Sequence, residues 1–230
     1  MDTNAAGAGR PTARDPEELR LLSDQLARMR GMLFGYSERF FERIRTYLVI
    51  CLALLVVSGS GLFPGAVIVV PFLVPFAFLE TGYLFYHTVF ARRHAEYLER
   101  AINVRLGHDV LVAHHLEAAY FYEPDAPKIA ALSLERPRGM MSVMTLGYTG
   151  GGVLLWLAGM AGVFDLLRTG VLDSASVLGL LVPVAAVLWT LAIAAHLVVT
   201  FLRRDDESRL VAALDAAYGE PPRPSDPIPD

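Results

Sequence analysis

Apolar runs nearly free of charge alternate along the chain with stretches in which apolar residues recur at helical spacing. The runs fall at residues 47–63, 66–90, 143–164 and 175–201, and a helix needs about 20 such residues to cross hydrocarbon. Each run therefore predicts a transmembrane helix. The first is the shortest and must borrow from its flanks, whereas the second and fourth are long enough to tilt. Turn formers at residues 58–65 join the first two runs, and a polar stretch at residues 165–176 joins the last two, which predicts two hairpins. The expected fold class is an all-α integral membrane protein of four transmembrane helices, with cytoplasmic amphipathic helices attached.

The amphipathic stretches supply those outer helices. At residues 15–46, Asp15 stands as a cap, Pro16 at the first helical position and Glu18 in the capping-box position, so a helix starts here. Leu19, Leu22, Leu26, Met29, Leu33, Tyr36 and Phe40 then recur at spacings of three and four. This seam fits a helix lying on lipid or on the protein's own cytoplasmic face, or one that self-associates. Gly31 and Gly35 are the places where it would bend. Residues 91–142 are too long for a plain connector and predict a cytoplasmic, interfacial helical segment, the first part of which continues the second span to Gly107. Residues 202–219 predict a further cytoplasmic helix. The remaining residues, 1–14 and 220–230, are small, polar or proline-rich and predict disordered tails.

Charge orients this plan. Of 20 Lys and Arg residues, Arg168 alone falls in a predicted outer loop, so both termini are expected on the cytoplasmic side of a cell membrane crossed several times. The early residues carry charge throughout and offer no apolar signal-peptide core, which makes the first run an uncleaved anchor. A hydrophobic content of 54% and a mean hydropathy of +0.42 agree with a membrane protein. A net charge of −4 argues against nucleic acid as a partner, leaving the lipid bilayer and a homo-oligomer as expected partners. The single cysteine, Cys51, excludes a disulfide framework and a thiolate cluster.

Candidate chemistry centres on the second run. Residues seven apart on a helix differ by about 20°, so Glu80, His87 and His94 share a stripe with Tyr83 at its edge. Counting from Arg92 at about 1.5 Å per residue places Glu80 roughly 18 Å below the cytoplasmic boundary, near the midplane. A carboxylate there must be neutral or paired, either gluing helices through Thr145, Tyr148, Thr149 or Thr190 or marking a proton or cation path. Pro71, Pro75 and Pro183 remove ladder donors in the second and fourth runs. Gly147 with Gly151, and Ala158 with Gly162, form small-residue pairs that allow close helix approach, within one bundle or between subunits.

Two cofactor readings stand beside this. His87 precedes Arg92 by five residues and His196 precedes Arg203 by seven, a matched depth that a bis-histidine haem b would use. His108, His114, His115, Glu117, Glu123 and Asp125 are the densest group of metal-ligating types, and His108 and His115 share a helical face. Their spacing matches no zinc or di-iron signature. No nucleophile elbow or phosphate-binding loop occurs. The expected function is a permeation or transport unit, or a membrane-anchored signalling or assembly component, working without covalent chemistry; the alternative is a membrane redox protein.

Overall fold

A computed structural model describes residues 16–113, 116, 128–129, 132–133, 140–172, 177–203 and 205–219. The tails, Asp15, and His114, His115, Glu117, Glu123 and Asp125 lie outside the described residues. The described chain is helical apart from its turns and one short antiparallel pairing, of Lys128–Ile129 with Leu132–Ser133. Helix α1 spans Pro16–Gly59, a 3-10 turn follows at Pro64–Val69, and α2 spans Val70–Leu106. After the antiparallel pairing come α3 at Met140–Arg168, α4 at Val177–Arg203 and α5 at Asp205–Tyr218.

The expected cytoplasmic helix and first span are one continuous helix of 44 residues. Gly31 and Gly35 do not break it, and a Cβ at either position would meet nothing within 4 Å. Its start follows the predicted logic, with Pro16 first and Glu17 and Glu18 in the opening turn. It ends where Gly61 takes φ 74°, a conformation that glycine adopts without steric cost. Ser58 Oγ donates to the Pro64 carbonyl at 2.7 Å and closes this turn.

Among the described residues three stretches are long and apolar enough to cross a membrane: Pro64–Leu106, Ser142–Arg168 and Gly179–Tyr218. Helix α1 is not among them. Beyond Arg45 its apolar part reaches only Gly59, about 20 Å at ~1.5 Å per residue, against a hydrocarbon core of about 30 Å.

Helix α2 is the axis of the molecule and touches all four other helices. Its C-terminal half buries Ala95, Leu98 and Ile102 against Leu22, Leu26 and Met29 of α1, with Tyr218 of α5 packed on the same cluster. The N-terminal seam is thus consumed within the chain, which explains its apolar period without a second copy. Helices α3 and α4 meet only marginally, each packing more extensively on α2. The second hairpin is therefore two separate attachments to one central helix. Trp189 Nε1 of α4 donates to the Phe72 carbonyl at 3.1 Å, a contact next to the stretch disrupted by Pro75.

One expectation needs correction. Pro71 is not an interior proline: it lies in the first turn of α2, where no ladder donor is needed, and the Val67 carbonyl accepts from Val70 N–H. Pro75 and Pro183 are inside their helices. Within residues 91–142 the second helix ends at Gly107 as expected, but the short antiparallel pairing was not foreseen. Helix α2 stops at Gly107, φ 75°, whose N–H bonds the Asn103 carbonyl, the usual αL ending. The buried Asn103 side chain then holds the following loop, donating to the Leu111 carbonyl at 2.8 Å and accepting from the N–H groups of Val110 and Leu111. The antiparallel pairing follows close behind Pro124 and Pro127, which disfavour helix.

Candidate functional site: the polar seam of the helical hairpin

The stripe predicted on α2 faces α1, and its members meet partners there. Glu80 accepts a short hydrogen bond from the Tyr47 hydroxyl on one oxygen, while its other oxygen lies 3.2 Å from Arg43 Nε. Tyr47 and Arg43 are four apart and so occupy one face of α1. His87 stacks on Tyr36 with centroids 5.1 Å apart, and meets Tyr83 and Tyr86 edge-on at 4.4 and 6.1 Å. Tyr83 itself is 62% exposed. Further along, His94 Nε2 is 3.3 Å from Gln25 of α1 and 2.9 Å from the Tyr218 hydroxyl of α5. Glu99, only 2% exposed, pairs with Arg30, and Arg105 reaches Glu18 at 2.6 Å.

These pairs form a ladder between two antiparallel helices. The pairs Tyr47–Glu80, Tyr36–His87, Arg30–Glu99 and Glu18–Arg105 are placed nearly equidistant from the turn around Gly61 and Leu62. Sequence reasoning missed Arg43 and Tyr47 because it sought partners for Glu80 in the third and fourth runs. Counting outward from the predicted turn would have found them. Of the partners proposed, Tyr148 instead shares a hydrogen bond with Thr81 at 2.8 Å, and Thr190 bonds back to the Ala186 carbonyl of its own helix.

The level of Glu80 along the bundle follows from the packing of α2 on α4. Phe85 packs 6.0 Å from Phe201, and Phe201 lies at the end of the apolar run of α4, two residues before Arg203. Glu80 is five residues before Phe85, about 8 Å further along the axis. The carboxylate therefore lies between one and two turns along the bundle from the level of Phe201 at the charged end of α4. Arg43, from the last charged turn of α1, reaches it there, which lowers the cost of an ionised carboxylate.

The two imidazoles considered for haem are not brought into ring contact. Helix α4 meets α2 at Gly82, which lies against Leu197 and Phe201, and at Phe85. His87 is five residues beyond Gly82, about 140° around the helix, and its ring is stacked on α1. His196 is exposed on α4. His108 is exposed and its Nδ1 lies 2.9 Å from the Leu106 carbonyl, and among the described residues no three metal-ligating side chains converge.

The small residues divide in an unforeseen way. Gly147 and Gly151 face open space, and Ala158 is exposed. Gly162 does pack, against Val67, and the closest other approaches are at Gly159 to Val70 and Gly152 to the Phe78 ring. Gly147 and Gly151 line an open apolar groove of about 170 Å³ between α1, α2 and α3, bounded by Tyr47, Cys51, Val74 and Phe78. Comparisons with protein-family models, curated proteins and solved structures return no match.

Proposed function

We propose that this chain is a four-span membrane protein with both termini on the cytoplasmic side, and that it acts without covalent chemistry as a membrane-anchored assembly or signalling component. The observation that carries this reading is the α1–α2 seam. Its polar side chains are engaged helix to helix, from Tyr47 and Arg43 on Glu80 to Glu18 on Arg105. Such a ladder makes the hairpin a single stiff element linking the lipid-facing helices to the charged helical module at its far end. A permeation role would use the same side chains to line a water-filled path, whereas their hydrogen-bonding groups point into the helix contact. The apolar outer surfaces of α3 and α4 are suited to lipid, and the open Gly147–Gly151 face is where a second copy would pack.

Purified protein in vesicles tests the choice between these roles. The assembly reading predicts no proton or cation flux above protein-free vesicles, for the parent and for Glu80→Gln alike. The substitution keeps the Tyr47 hydrogen bond and removes an ion pair whose arginine is half exposed, so its cost in unfolding stability is about 1 kcal/mol or less. A pH-dependent flux in the parent that disappears in Glu80→Gln would overturn the reading and restore the carboxylate as a conducting group.

A further inference from the structure

Helix α5 is held on the hairpin by three polar contacts: Arg93 to Glu207 at 3.1 Å, Tyr97 to Asp215 at 2.7 Å, and the cluster of His94, Tyr218 and Gln25. The last joins three helices at one point. Gln25 Nε2 donates to the Tyr218 hydroxyl at 3.2 Å and approaches His94 Nε2 at 3.3 Å, while that hydroxyl lies 2.9 Å from the same ring nitrogen. An imidazole nitrogen facing an amide N–H₂ and a hydroxyl acts as acceptor, which puts the proton of the neutral ring on Nδ1. Nδ1 is buried and has no hydrogen-bond partner among the described residues. A second proton would turn Nε2 into a donor, force Gln25 and the Tyr218 hydroxyl to reorient, and place a full charge, with Nδ1–H still unpartnered, beside the apolar cluster of Leu22, Leu26 and Leu98.

Among the described residues no carboxylate is bonded to the ring to offset that charge. On α5, Glu207 is bound to Arg93 and Asp215 to Tyr97, and Tyr218 is the titratable group in contact. On α1, Asp24 and Arg28 flank Gln25 and are exposed. On α2, Glu96 is paired with both Arg93 and Arg100, Glu99 with Arg30, and Phe90 packs on the ring at 5.9 Å.

We infer that His94 is a proton-operated latch: neutral, it seats Tyr218 and the C-terminal end of α5 on the α1–α2 hairpin, and protonated it lets that end go. Burial pushes the imidazolium below its ordinary value of 6.5, in the direction the latch requires. A group whose pKa is lowered in the seated state contributes its stability above the ordinary value and loses it as pH falls. Seating is therefore complete at neutral pH and weakens by at most tenfold per pH unit below about 6.5. Release uncovers Leu214, buried on the same helix. The latch lies beyond Phe90, where the apolar run ends, and does not depend on how many spans the chain makes.

The test is a distance measurement between spin labels on the full chain in nanodiscs. Labels go on Ser23→Cys and Ala217→Cys, both exposed positions, with Cys51→Ser as background. The latch predicts one short distance at about pH 7.5 and a growing longer one toward about pH 5.5, with His94→Gln holding the short distance at both. Distances that ignore pH in the parent, or an equal opening in His94→Gln, would overturn it. If His94→Gln is already open at neutral pH, the parent's His94 ring decides by NMR titration. A midpoint depressed below the ordinary value supports the latch, and one at or above it refutes the latch.

Discussion

Glu99 and Arg30 show what a single charged residue does in this protein. Glu99 lies on a face of α2 that is otherwise Ala95, Leu98 and Ile102, almost fully buried, and Arg30 reaches it from α1. Removing one partner of a buried pair leaves the other without compensation, whereas replacing both with apolar residues of similar size is often neutral. Because Arg30 is 38% exposed, water relieves part of the loss. Arg30→Met is expected to cost roughly 2 kcal/mol, and Arg30→Met with Glu99→Met to recover most of it, measured by chemical unfolding in detergent. A double substitution that is the sum of two large losses would show that the pair does more than match charge. Neither this pair nor the pair of Glu80 with Arg43 is visible to i, i+4 rules, which see one helix, whereas counting outward from the predicted turn brings both together. Tyr97 shows the same cross-helix logic: burial and the adjacent Asp215 carboxylate push its phenol up to about 12.

At the level of elements, the apolar period located the helices well and their joins less well. The start of α1 at Pro16 and the end of α2 at Gly107 were written in local chemistry, a proline at the first position and a glycine able to take φ 75°. That α1 would run unbroken through Gly31, Gly35 and the charged turn at residues 38–45 was not. Helix there is stabilised by packing on α2, which local propensity does not report. Of the small residues, Gly162 packs on Val67 while Gly147 and Gly151 stay open within the chain, since a small-xxx-small pattern marks where a helix can approach closely but not which helix comes. A Cβ on Gly159 would lie 2.8 Å from Val70 Cγ1, 2.9 Å from Val70 Cβ and 3.0 Å from Pro71 Cδ, and Val70 is fully buried. Gly159→Ala should therefore destabilise the α3 contact by about 1–3 kcal/mol. Gly147→Ala and Gly151→Ala meet nothing within 4 Å and should leave the melting of the single chain within about 0.5 kcal/mol of the parent. Equal effects at all three positions in monomeric protein would contradict this packing.

For the molecule as a whole, the account rests on one long helical hairpin whose turn at Gly61 and Leu62 is far from its charged end. Helix α1 has a short apolar part and is not among the stretches long and apolar enough to cross a membrane, yet it packs antiparallel along α2, which is among them. The direct measurement is labelling of single cysteines by a membrane-impermeant reagent in intact cells, on a Cys51→Ser background. Leu62→Cys and Arg168→Cys, in the two turns, should label from outside, while Ser23→Cys and Ala217→Cys should label only after permeabilisation. Protection of Leu62→Cys together with Ser23→Cys in intact cells, and exposure of both on permeabilisation, would mean that the hairpin does not cross the membrane and would contradict the account.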